Sequence, residues 1–205
     1  MQSAYTDALL KDRLTLMSIF VPQSILAATM PGAGPEFMHK AGNIRHLAIF
    51  GGMVHDGGGG RMWRALGREP VVTYRMAAID RAALSKLIRV LAETYLAAGA
   101  RKVYLPIFGL EGVDAAGLKA LDLDKIPGRK IECTSQHPLG TCRMGVDPKT
   151  SVVNPDGETW DVRELYLADG SILPTSLGVN PQVGVMAMAA RIAWKLRDKK
   201  LPSRH

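Results

Sequence analysis

Apolar positions fall into distinct rhythms along the chain, and the clearest is helical. Leu84, Leu87, Ile88, Leu91, Tyr95 and Ala98 recur at the three-to-four-residue spacing of one helix face. Asp80 ahead of them reads as an N-cap and Gly99 behind them as a C-terminal stop. Short β-prone runs flank this helix: His46–Val54 and Val71–Met76 before it, Val103–Ile107 after it. Strand, helix, strand in that order predicts an α+β fold, with the helix packed on one face of a single sheet.

The second half has a different pattern. Ser151–Val162 places Asn154-Pro155-Asp156-Gly157 between two strand-like runs, the chemistry of a hairpin turn. Glu164–Ala168 reads as a short strand that stops at Asp169-Gly170. A second helix is predicted from Pro181 to about Arg197, with Asn180 as N-cap and Pro181 at the first helical position. Its first turns are apolar or small on every side, which predicts a buried helix start. Residues 31–46 are rich in Gly and Pro and read as a loop with one helical turn, and residues 109–130 as a surface connection. Leu14–Met30 is mostly apolar, but Pro22 and Gln23 interrupt it. It falls short of the ~20 apolar residues of a membrane span, so it is expected in a core or lining an apolar pocket.

Composition narrows the class. With 205 residues, 47% of them hydrophobic and 22% charged, the chain has the make-up of a folded soluble protein with a real core. The net charge of +7 suggests nucleic acid at first sight. From Arg191 onward, however, six cations face only Asp198, so five of those seven charges sit at one end. The end of a helix favours cations through its dipole, and no aromatic residues interleave with them as a base-stacking surface requires. Nucleic-acid binding is therefore disfavoured. Cys133 and Cys142 form neither a disulfide framework nor a zinc spacing, which fits a reducing compartment such as the cytoplasm. No charged segment precedes the apolar stretch, so no signal peptide is expected.

Among five histidines, His137 has the most constrained setting, within Thr-Ser-Gln-His-Pro-Leu-Gly-Thr-Cys-Arg-Met-Gly from Thr134 to Gly145. A rigid proline and then a permissive glycine can hold its imidazole at a fixed angle. His39 and His46 read as surface residues. His55 beside Asp56 imitates a base and its orienting partner, but four glycines follow and nothing else in the sequence converges there. No third or fourth ligand joins His137 and Cys142, so no metal is assigned.

HPLGTCRMG, then NPDGETWDVRELYLADGSILPTSLGVNPQ, then an Ala- and Met-rich helix together resemble the C-terminal part of the glucose–methanol–choline (GMC) oxidoreductases, which use FAD. The wording is most similar to the long-chain alcohol oxidase and cholesterol oxidase-like branch. The resemblance is specific from 134 to 192 and looser before 100. It implies two portions: a substrate-binding domain over 1–130, a sheet covered by helices, and a catalytic segment over 131–205 that completes an FAD-binding domain. It also implies roles. His137 would serve the alcohol proton, Asn180 would be the second active-site residue, and Asp169 and Gly170 would lie along the FAD. The backbone of Asn180, Pro181 and Gln182 would approach the flavin's pyrimidine edge.

The chemistry suits those roles. Imidazole is the side chain whose unperturbed pKa fits removal of a hydroxyl proton near neutral pH, and the Asn180 amide can donate to an alcohol oxygen. A helix N-terminus stabilises negative charge that gathers on a reduced flavin. The glycine-rich βαβ loop that binds the ADP half of FAD is not found: Pro31–Phe37 has Phe37 where a third glycine belongs, and the run Asp56–Trp63 has Met62 or Trp63. The expectation is therefore a chain that starts inside the substrate-binding domain, with a separate chain as the possible source of the FAD-binding front. The partner is expected to be a small-molecule substrate, a primary or secondary alcohol that is apolar, long-chain or sterol. The alternative is a non-catalytic remnant or interaction module that does not bind FAD alone.

Overall fold

The computed structural model describes residues 5–19, 21–30, 32–65 and 67–200. Contacts divide them into two compact units, one of residues up to Val54 with Ala78–Cys133 and one of His55–Ala77 with residues from Thr134 onward. The fold class is α+β, as the sequence predicts.

In the first unit, β1 (Tyr5–Thr6), β2 (Leu14–Ser18) and β3 (Phe50–Val54) form an antiparallel sheet in the order β1-β2-β3. Leu14, Thr15, Leu16 and Met17 of the central strand are all buried and form core, but the rest of the Leu14–Met30 stretch does not follow them: Ile19 is exposed, as is Ile25 of the short helix α1 (Gln23–Thr29). The predicted helix is α3 (Ala78–Ala97), which lays Ala83 and Leu87 on the core of Leu14 and Leu16. Burying a leucine or isoleucine of this kind contributes about 1.5–3 kcal/mol. Phe50 and Tyr95 meet edge to face, their ring centroids 6.5 Å apart. The helix ends as predicted: Gly99 has φ +95°, and Ala100 N–H donates to Tyr95 O at 3.0 Å, closing a Schellman motif. Its start differs. Asp80 is not the cap but lies inside the first turn, 2% exposed and ion-paired to Arg13 Nη2 at 2.8 Å.

Two connections are more ordered than their composition suggests. Residues 31–46 contain a full helix, α2 (Gly34–Gly42), started by Pro35 and spanned by a Glu36–Lys40 ion pair. Residues 109–130 are not mere surface. Asp114 caps α4 (Ala115–Ala120) by accepting from Gly117 N–H at 2.8 Å, and Leu118, Leu123 and Ile131 enter a core with Ile88 and Ala92. Scattered leucines joined by single turns bury well while showing no period.

The single predicted sheet does not form. Val71–Met76 becomes β5 (Pro70–Arg75), which among the described residues pairs only with β4 (Gly59–Arg64) in a two-stranded ribbon of the second unit. Val103–Ile107 alternates correctly, with Val103, Leu105 and Ile107 buried, but makes only isolated bridges to Val113 and Ile131. Pro106 lacks the N–H a continuous ladder would need.

The rest of the second unit is built on α5 (Gln182–Lys200). Ile192 and Met188 pack on Val153 and Ile172. The hairpin turn is present, with Gly157 N–H donating to Asn154 O at 2.9 Å. Its arms make single bridges, Val153 to Thr159 and Glu158 to Tyr166, rather than regular strands. The segment after Glu164 pairs back on the hairpin through Thr159 N–H to Leu165 O and Leu167 N–H to Gly157 O, both at 2.9 Å, without forming a longer strand.

Candidate functional site

The His137 motif is a bend laid against the turn that carries Asp169. Gly140 adopts φ +78°, and a Cβ there would sit 3.2 Å from Leu173 O, so the backbone comes close only because the residue is glycine. Beyond it, Cys142 N–H donates to Ser171 O at 3.0 Å and Met144 N–H to Ile172 O at 2.8 Å. These bonds fasten residues 140–144 along 171–174, with Ile172 fully buried beneath. His137 itself is half-buried at the start of this bend.

Asp169 is exposed and caps the single 3-10 turn Gly170–Ile172, its Oδ1 accepting from Ser171 N–H at 2.8 Å. Hydrogen bonds from the Ser171 side chain and then its backbone hold the Asp169 carboxyl below the usual carboxylate range. A Cβ on Gly170 would lie 3.0 Å from Leu139 Cδ2, 3.6 Å from Pro138 O and 3.8 Å from Val185 Cγ2. Three segments remote in sequence thus meet at Gly170: the His-Pro-Leu motif, the Asp-Gly turn and the first turn of α5.

The helix start departs from expectation in two ways. α5 begins at Gln182, and its first bond runs from Val185 N–H to Pro181 O at 2.8 Å, so Pro181 takes the capping position one residue after Asn180. Pro181 is buried, while Asn180 and Gln182 are exposed. The expected burial of the helix start is also wrong: Val183 is 74% exposed and Met186 55%. Small and apolar residues occur all round this helix, but the hairpin core covers only the side bearing Met188 and Ile192.

His55 is where the structure adds what sequence reasoning set aside. Gly178, buried and at φ +66°, lies directly under its imidazole, so that a Cβ on Gly178 would fall inside the ring. The neighbouring Asp56 accepts from the Tyr74 hydroxyl at 3.1 Å. Nothing in the local sequence around His55 signals this, because its partner comes from a distant segment. A glycine two residues before the Asn-Pro pair was the one available hint.

Among the described residues, no group of three His, Cys, Asp or Glu side chains gathers as a metal site. Both cysteines are free, and partial desolvation, helped by Glu132, pushes the thiol of the exposed Cys133 above its ordinary value. No helix among the described residues is long and apolar enough to cross a membrane.

Comparison with known proteins places this arrangement. An uncharacterised GMC-type oxidoreductase of Mycobacterium tuberculosis (strain ATCC 25618 / H37Rv) is 30% identical over 182 residues, 89% of this chain and 29% of the relative. A long-chain-alcohol oxidase of Arabidopsis thaliana is 50% identical over 64 residues, 31% of this chain and 9% of that protein. The chain therefore spans under a third of the length of the relatives it matches. The crystal structure of pyridoxine 4-oxidase from Mesorbium loti shares the fold, with a TM-score of 0.52 at 23% identity over 72% of this chain and 29% of that one. The GMC oxidoreductase family model matches residues 67–189, which hold the His137 bend, the Asp169 turn and the start of α5, and the chain belongs to that family.

Proposed function

We propose that this chain is the catalytic and substrate-binding portion of an FAD-dependent enzyme that oxidises an apolar primary or secondary alcohol. The observation that carries this reading is the meeting of the His-Pro-Leu bend, the Asp169-Gly170 turn and the first turn of α5 at Gly170. Long-chain-alcohol oxidases among the relatives support the substrate class.

The residues around the helix start fit one end of the cofactor. The amides of Gln182, Val183 and Gly184 precede the first helical hydrogen bond, and exposed Val179 and Val183 lie beside them. Oriented donors next to apolar side chains suit a flat ring with an electron-rich edge. The strands of the described residues pair antiparallel, so they offer no βαβ unit for the ADP half. That half is to be held by residues outside those described, from a preceding segment or a separate chain. In this proposal Asp169 and Gly170 would lie along the cofactor, and the backbone of Asn180, Pro181 and Gln182 would face its pyrimidine edge. When bound, FAD supplies the acceptor for the hydride that leaves the alcohol carbon.

The chain's own residues do the rest. An imidazole nitrogen of His137 takes the hydroxyl proton, and the half-buried bend restricts where that nitrogen can point. Asn180 donates its side-chain amide to the same oxygen and fixes its approach. The test is transient kinetics on the assembled enzyme, with the portion that holds the ADP half of FAD present. His137→Ala is expected to slow reduction by alcohol by roughly 100-fold or more while alcohol binding weakens far less. Reduction at the wild-type rate would remove His137 from the base role.

A further inference from the structure

We propose that His55 is a positioning residue for Asn180, acting through Gly178; the inference rests on the role given above to Asn180. Three observations carry it. The imidazole occupies the space in which any side chain at Gly178 would begin, so ring and backbone are in direct contact. Gly178 is buried and left-handed at φ +66°, which turns the chain between Leu177 and Pro181 and sets where Asn180 emerges. From the other side, Leu177 Cδ1 comes within 3.4 Å of where a Cβ on Gly184 would lie, so Leu177 rests on the first turn of α5. The turn bearing Asn180 is thus held between the His55 ring and the helix.

The anchoring of His55 makes the contact more than local packing. Its neighbour Asp56 accepts from Tyr74 of β5, and Tyr74 stands in register with Gly60 of β4. The ribbon therefore fixes the backbone from which the imidazole projects. Asn180 is exposed, with Val179 exposed beside it, while Gly178 and Pro181 on either side are buried. An exposed amide between two buried anchors takes its direction from them. Removing the ring frees one anchor, and a misplacement of about 1 Å can cost roughly 100-fold in rate.

The experiment has two readouts. In the assembled enzyme, labelled selectively at asparagine, the side-chain amide resonances of Asn180 are followed by NMR in His55→Ala, Gly178→Ala and the double variant. A methyl group at Gly178 must evict the ring, so both single variants are expected to shift Asn180 alike, and the double variant to add little. His55→Phe keeps a ring over the glycine and is expected to retain the wild-type resonances. In the assembled enzyme, with the portion that holds the ADP half of FAD present, His55→Ala is expected to lower kcat roughly 10- to 100-fold with KM nearly unchanged, and His55→Phe to restore most of it. Unmoved Asn180 resonances in His55→Ala, or fully additive shifts in the double variant, overturn the proposal. Should His55→Ala lose its cooperative fold, Gly178→Ala against His55→Phe carries the same comparison. If the resonances move as expected but Asn180→Ala oxidises alcohol normally, the positioning stands and the role of Asn180 fails.

Discussion

Gly157 shows how much one residue decides where α5 sits. It is buried at φ +82°, and a Cβ there would come 2.6 Å from Ile192 Cδ1 and 3.0 Å from Leu167 O. The absent side chain is what lets the helix press onto the hairpin turn. Gly157→Ala combines a left-handed alanine with overpacking against a carbonyl that cannot move freely, and should destabilise by about 2–4 kcal/mol. Gly128→Ala, which meets open space, should change stability by less than about 0.5 kcal/mol. Equilibrium denaturation of both variants checks this, and equal midpoints would contradict the packing argument. The turn residues themselves were legible in the sequence, since Asn-Pro-Asp-Gly has few other uses. That the glycine also receives a helix was not, because its neighbour Ile192 belongs to another element.

The charges of α5 show the same division at the scale of elements. The sequence places cations near the helix end, where the dipole favours them, and they read as solvated. In the structure Lys195 pairs with Asp156, Arg191 donates to Pro155 O at 2.6 Å, and Lys199 reaches both Glu158 and the Tyr166 hydroxyl. Arg204 lies outside the described residues. Hydrogen bonding to Lys195 holds Asp156 below its ordinary value, and the Glu164 N–H, with Lys199 behind it, does the same for Glu158. For carboxyls depressed in the folded state, the stability they contribute is present above about pH 4 and is lost as pH falls toward the folded values. Lys195→Met should therefore melt lower than wild type at neutral pH, with the gap closing below about pH 4. A gap independent of pH would show that Lys195 acts through packing alone. Pairings of this kind escape sequence reasoning because they depend on tertiary placement. The same cause produced the misassigned sheet: Val103–Ile107 has the alternation of a strand, but alternation does not name the strand's partner. The candidate site fared differently. His137 and the Asp169-Gly170 pair stand out by motif, and the structure packs their segments together, whereas His55 has no motif and becomes visible only against Gly178.

At the scale of the molecule, α5 has two apolar sides and a core for one of them. Met188 and Ile192 face Val153 and Ile172, while Val183, Met186, Ala187 and Trp194 form a second stripe at helical spacing. Val183, Met186 and Trp194 on that stripe are all more than half exposed. The β4–β5 ribbon adds Met62, Trp63 and Val72, because every residue of both strands is exposed. Helices that are apolar all round are normally covered, and an isolated two-stranded ribbon is marginal in water. The family match agrees, since relatives carry this region within much longer chains. Purified by itself, the chain should therefore associate through these surfaces, and excess FAD should leave it without a stoichiometric flavin absorbance band. Light scattering over a dilution series should show mass rising with concentration. Replacing Val183 with Ser and Trp194 with Gln together should reduce that association without lowering the melting temperature by more than a few degrees, because neither side chain belongs to the buried core. A chain that stays monomeric at every concentration would mean that the stripe is tolerated in water. A yellow one would mean that this chain holds the whole cofactor, in which case the ADP half is bound by something other than a βαβ unit.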